Sequence, residues 1–136
     1  MIKLCYQSYD YKADLGALKA FKKDTKEDLL FILSGVLECW ADTKGQPQRS
    51  RINAIYGVAD FECAAYIFFH LIKRSGKNIP FAEVEDAMFR VGVSPNAIDD
   101  EYCLPWPIVL LKVAQDIEED FQESLPQLKK KLGTSE

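Results

Sequence analysis

The broadest apolar face in the chain lies between Ala59 and Arg74. At about 100° per residue, Leu71, Ala64, Phe68, Phe61, Ile72, Ala65 and Phe69 fall on one arc. Glu62, Tyr66, His70, Lys73 and Arg74 fall on the other, so the pattern predicts a central helix that touches several neighbours at once. Asp60 is placed to cap its start. Glu62 suits the positive end of the dipole, Lys73 and Arg74 the negative end, and Gly76 a left-handed stop.

Before this helix the period changes twice. Ile2, Leu4 and Tyr6 alternate with Lys3, Cys5 and Gln7, the period of a half-buried strand, with Tyr9 and Tyr11 extending it after a turn. One strand is not stable alone, so it must sit in a hairpin, lie on the helices or pair with another copy. From Asp14 onward, Leu15, Leu18 and Phe21 share a short helical face that closes near Lys22 and Lys23. Thr25-Lys-Glu-Asp28 resembles a capping box opening a helix over 26–41. Its inner face is Leu29, Leu30, Ile32, Leu33, Val36, Leu37 and Trp40, while Phe31 points outward between Glu38 and Asp42. The stretch 42–51 reads as a surface loop, and 52–58 as a short helical turn.

After Gly76, Pro80 fits the first turn of a helix over 81–91, packed through Phe81, Val84, Ala87, Met88 and Val91, with Phe89 off that face. A connection over 93–103 carries Asp99, Asp100 and Glu101. Leu104-Pro-Trp-Pro opens a last helix to about Glu123, with Leu110, Val113, Ala114, Ile117, Phe121 and Leu125 inside and Asp116, Glu119, Asp120 and Glu123 outside. Pro126 is expected to end it. The expected fold is therefore mainly α: one compact helical domain of four to five helices over 1–125, with a short N-terminal β-strand or hairpin and a polar tail over 126–136.

Composition narrows the chemistry. A chain of 136 residues with 48% hydrophobic and 28% charged residues suits one globular domain. No apolar run approaches the ~20 residues of a membrane span, and the N-terminus lacks a signal-peptide pattern, so a cytoplasmic location is expected. Cys5, Cys39, Cys63 and Cys103 lie far apart and read as buried thiols. A net charge of -4 argues against nucleic acid, and Arg49 and Arg51 read as solvated loop charges. Asp99 to Glu101 lack the spacing of a calcium loop. The single histidine, His70, falls at the rim of the central helix and reads as an ordinary surface or interface histidine, with no nucleophile in its pattern. No enzyme, cofactor or metal is expected. The candidate site residues are Phe31 and Phe89, read as protein-contact positions that also favour concentration-dependent self-association.

Three stretches, Ala13-Asp-Leu-Gly-Ala-Leu-Lys-Ala-Phe21, Phe61-Glu-Cys-Ala-Ala-Tyr-Ile-Phe-Phe-His-Leu-Ile-Lys73 and Ile79-Pro-Phe-Ala-Glu-Val-Glu-Asp86, together resemble the tail assembly chaperones of long-tailed bacteriophages. The likeness covers residues 2–92. It implies a host-cytoplasmic, non-enzymatic protein whose copies coat the tape-measure protein and deliver it to tail-tube subunits. It also implies a frameshifted longer form in many such phages, for which the codons of Lys129-Lys-Lys131 could form the slip sequence. Two other readings stay open: a small acidic immunity protein that covers a basic toxin surface, and a helical adaptor for another protein.

Overall fold

The computed structural model describes residues 1–92 and 103–132. A hairpin of β1 (Ile2–Leu4) and β2 (Gln7–Tyr9) precedes six helices: α1 (Leu15–Thr25), α2 (Leu29–Asp42), α3 (Gln48–Val58), α4 (Phe61–Arg74), α5 (Phe81–Gly92) and α6 (Trp106–Lys131). The mainly helical class is as the periodicities require, with one helix more than expected.

The strands pair antiparallel, Ile2 opposite Tyr9 and Leu4 opposite Gln7, and all but Gln7 of these four are buried. Cys5 and Tyr6 form the two-residue turn, with φ of 49° and 64°. Positive φ at both positions is the tight-turn geometry that matches the strands' right-handed twist. Tyr6 is thus not a third inward strand residue; it sits on the turn and is exposed. The Lys12 amide donates to the Leu71 carbonyl at 3.0 Å, tying the chain after the hairpin to α4.

Asp14 opens α1 by accepting from the Ala17 amide at 2.9 Å, and Lys26, at φ 65°, closes it. That left-handed residue separates Thr25 from α2, so the proposed capping box does not form. Asp28 instead caps α2, accepting from the Phe31 amide at 3.1 Å, while the Thr25 hydroxyl turns back to donate to the Phe21 carbonyl. α3 begins at Gln48, earlier than the expected turn, because Pro47 supplies an extended residue just ahead of it. Helices α2 and α3 approach closely at Gly35: a Cβ there would meet Val58 Cγ1 at 3.0 Å.

α4 packs between α1 and α5 and contributes Ala64, Ala65, Ile67, Phe68, Leu71 and Ile72 to the core. Asp60 caps it, and Gly76, at φ 103°, follows its end. α6 corrects the sequence reading most. It runs for 26 residues through Pro126, so residues 126–131 are helix rather than a polar tail. A proline lacks the amide that would bond the carbonyl four residues back, but on an exposed helix that carbonyl can turn to solvent. Val109, Leu110, Leu111, Val113 and Ala114 bury the first half of α6 against α2, α3 and the hairpin. Trp106 seals its start, with the rings of Tyr56 and Phe61 edge-on at 4.9 and 6.1 Å. The Asp99 to Glu101 cluster, the rest of the 93–102 connection and residues 133–136 lie outside the described residues. No single described helix is long and apolar enough to cross a membrane.

Candidate protein-docking surface

Helices α2 and α6 lie against one another, and the outer side of their seam is an apolar groove of about 510 Å³. Leu30, Leu33 and Leu37 line it from α2, and Ala114, Ile117 and Phe121 from α6. Both sets follow the three-and-four spacing that puts residues on one helical face. Ser34 and Glu118 are its polar lining residues. Leu30 is 56% exposed and Phe121 61%, so two side chains assigned to the core by periodicity instead stand open at this seam.

Phe31 and Phe89 are both exposed, at 79% and 67%. They are not brought together around the groove. Phe31 follows Leu30 on α2 but does not line the groove, and Phe89 projects from α5, which packs chiefly on α4. The residues that sequence reasoning missed are Leu30 and, along α6, Phe121, Leu125, Leu128 and Leu132. Leu110, Phe121 and Leu132 stand eleven residues apart, as do Ala114 and Leu125, and Ile117 and Leu128. An eleven-residue repeat keeps side chains nearly in line along a straight helix. That repeat, running through Pro126, was the signal for an extended helix.

On another side of α6 a cavity of about 730 Å³ is bounded by Tyr11, Lys12 and Ala13 and by Asp116, Glu119, Asp120 and Glu123. Burial, then the charges of Asp116 and Asp120, push the Tyr11 phenol above its ordinary pKa. The apolar groove therefore has an acidic cavity on the neighbouring side of α6.

His70, expected at the surface, is buried at 7% exposure, and its Nε2 lies 2.7 Å from Asp24 Oδ2 on α1. Tyr66 stacks on its ring and Phe69 meets it edge-on, which is how a histidine on the less apolar arc becomes enclosed. Cys63 lines a cavity together with Asp24, Glu27 and Tyr66. Burial first, then the charges of Glu27 and Asp60, push its thiol up to about 12. A nucleophilic cysteine needs the thiolate, so Cys63 is held in the unreactive form. The four cysteines are free thiols, half-buried rather than fully buried. No group of three His, Cys, Asp or Glu side chains among the described residues is arranged to hold a metal ion.

Arg51 is a cap rather than a solvated loop charge. Its Nη2 donates to the Trp40 carbonyl at 2.7 Å, its Nε to the Thr43 hydroxyl at 3.3 Å, and its guanidinium lies 3.4 Å over the Trp40 ring. A cation at the last carbonyls of α2 also meets the negative end of the dipole. No protein family, no curated protein and no solved structure matches this chain.

Proposed function

We propose that this protein is a non-enzymatic docking module that holds a helical segment of a partner polypeptide in the groove between α2 and α6. One observation carries the reading: Leu30 and Phe121, both largely exposed, line the same apolar groove, whose residues follow helical spacing on both helices. An amphipathic helix buries its own i, i+3, i+4, i+7 side chains in such a groove.

The resemblance to tail assembly chaperones supplies the client. On that reading the helix belongs to a tape-measure protein, the delivery is to tail-tube protein, and the work is done in the host cytoplasm without cofactor, metal, membrane or nucleic acid. The three stretches behind the resemblance fall on α1, α4 and α5 and their leading residues, apart from the groove between α2 and α6. The acidic cavity along Asp116, Glu119, Asp120 and Glu123 favours a second reading, an immunity protein that covers a basic toxin surface.

Co-expression with the tape-measure protein of the same genome tests the proposal. The client's soluble yield should rise and the two should elute together. Leu30→Glu with Phe121→Glu should weaken the complex at least tenfold, about 1.4 kcal/mol, with helicity retained. Phe31→Glu should weaken it less, and Phe89→Glu should leave it intact. A client that stays insoluble beside ample folded chaperone would sink the assignment, and loss confined to Phe89→Glu would move the site to α5.

A further inference from the structure

The apolar line of α6 does not stop where the body stops. It is sealed by the core at Leu110 and Ala114, half-covered at Ile117, and open at Phe121, Leu125, Leu128 and Leu132, which are 61, 45, 49 and 80% exposed. Past Ser124 the described side chains of α6 are all exposed. A free helical stretch of this length, with a proline inside it, is marginal in water on its own hydrogen bonds. Something that covers the line would hold it.

We propose that the cover is the same stretch of a second copy of this chain, laid antiparallel. The charge pattern chooses both occupant and direction. Flanking the line near the body is Asp120, and eleven residues on, at the same angular position, is Lys131; both are exposed. Two copies side by side and parallel would set Asp120 against the partner helix's acidic segment 116–123 and Lys131 against its lysines. Turned antiparallel about a two-fold axis between Leu125 and Leu128, they set Phe121 against the second copy's Leu132 and Leu125 against its Leu128. In the same register Asp120 meets the second copy's Lys131, twice over by symmetry. The contact is isologous, self-complementary and closed, so it makes dimers and not fibres. Four apolar side chains from each copy fall short of the roughly 800 Å² per partner of a stable interface, so the dimer forms only at high concentration.

This dimer needs no client, and sedimentation equilibrium of the full chain over a range of concentrations tests it without one. The native chain should shift from monomer to dimer. Leu125→Glu with Leu128→Glu should weaken association at least a hundredfold with unchanged circular dichroism from the body, since both side chains lie outside the core. Lys131→Glu alone and Asp120→Lys alone should each weaken it severalfold, and the two in one chain should restore it. A chain that is monomeric at every concentration would overturn the proposal, as would a dimer indifferent to Leu125→Glu with Leu128→Glu. Failure of the double charge exchange to restore association would overturn the antiparallel arrangement. A monomeric chain whose client binding is lost on Leu125→Glu with Leu128→Glu would give the line to the client instead.

Discussion

Gly16 stands where a Cβ would fall 2.5 Å from Arg74 Cζ. The bare backbone lets the guanidinium cross from α4 to Asp14, with Nη2 donating to Oδ2 at 2.8 Å and Nε to Oδ1 at 3.0 Å. The Arg74 hydrogen bonds first, and the Ala17 amide second, hold the Asp14 carboxyl down to about 2. A carboxylate whose folded pKa lies below its unfolded one, about 3.9, stabilises the fold above the unfolded value and ceases to as pH falls through the folded one. Gly16→Ala restores helix propensity, worth up to about 1 kcal/mol, while pushing aside the mobile end of Arg74. The expected outcome is a small net change in stability at neutral pH, with the Asp14 pKa rising toward its ordinary value and a flatter loss of stability between pH 4 and pH 2. Titration by NMR and urea unfolding across that range would check it. Asp14 was legible as a helix start and Arg74 as a charge at a helix end. Their pairing, sixty residues apart, was not, because it depends on how α1 and α4 cross. His70 was misplaced for the same reason: periodicity ranks faces of one helix, and only α1 brings Asp24 over the weaker face.

Among the elements, the hairpin shows what alternation can and cannot convey. Ile2 and Leu4 were legible as inward strand residues. The alternation then ran on through Tyr6, since Cys5-Tyr6 carries none of the glycine or asparagine that marks a left-handed turn. Non-glycine residues at φ 49° and 64° cost on the order of 1 kcal/mol each. Replacing Cys5-Tyr6 with Asn-Gly should therefore stabilise the protein by about 1 kcal/mol, read as a rise in the urea midpoint with an unchanged slope. An unchanged or lower midpoint would mean that the side chains of Cys5 and Tyr6 contribute as much as their backbone costs. α6 was misjudged by a local rule. Pro126 reads locally as a stop, although the eleven-residue spacing of Leu110, Phe121 and Leu132 continues across it. The apolar groove was invisible in either helix separately, because Leu30 and Phe121 each look like core residues until α2 and α6 are set side by side.

For the whole molecule, α4 is where the load concentrates: Phe68, Leu71 and Ile72 are fully enclosed on the helix that packs between α1 and α5. Phe68→Ala should cost about 3–5 kcal/mol, which is comparable with the whole stability of a domain of this size, roughly 5–15 kcal/mol. Urea unfolding of that variant should begin without an added-denaturant plateau at 37 °C, whereas Phe89→Ala should unfold as the native chain does. The long helix at the other side of the body has a different kind of sensitivity. Its first half is fixed by Trp106 and the core, and its second half takes its bearing solely from counting turns beyond that anchor. One residue inserted between Asp120 and Leu125 would rotate everything past it by about 100° and swing Leu125, Leu128 and Leu132 away from the line of Leu110 and Ala114. Eleven residues removed would shorten the rod by about 16 Å and leave its bearing nearly unchanged. Insertions and deletions in α6 are thus graded by phase rather than by size, and the reach of the protein can drift in steps of eleven while its facing stays fixed.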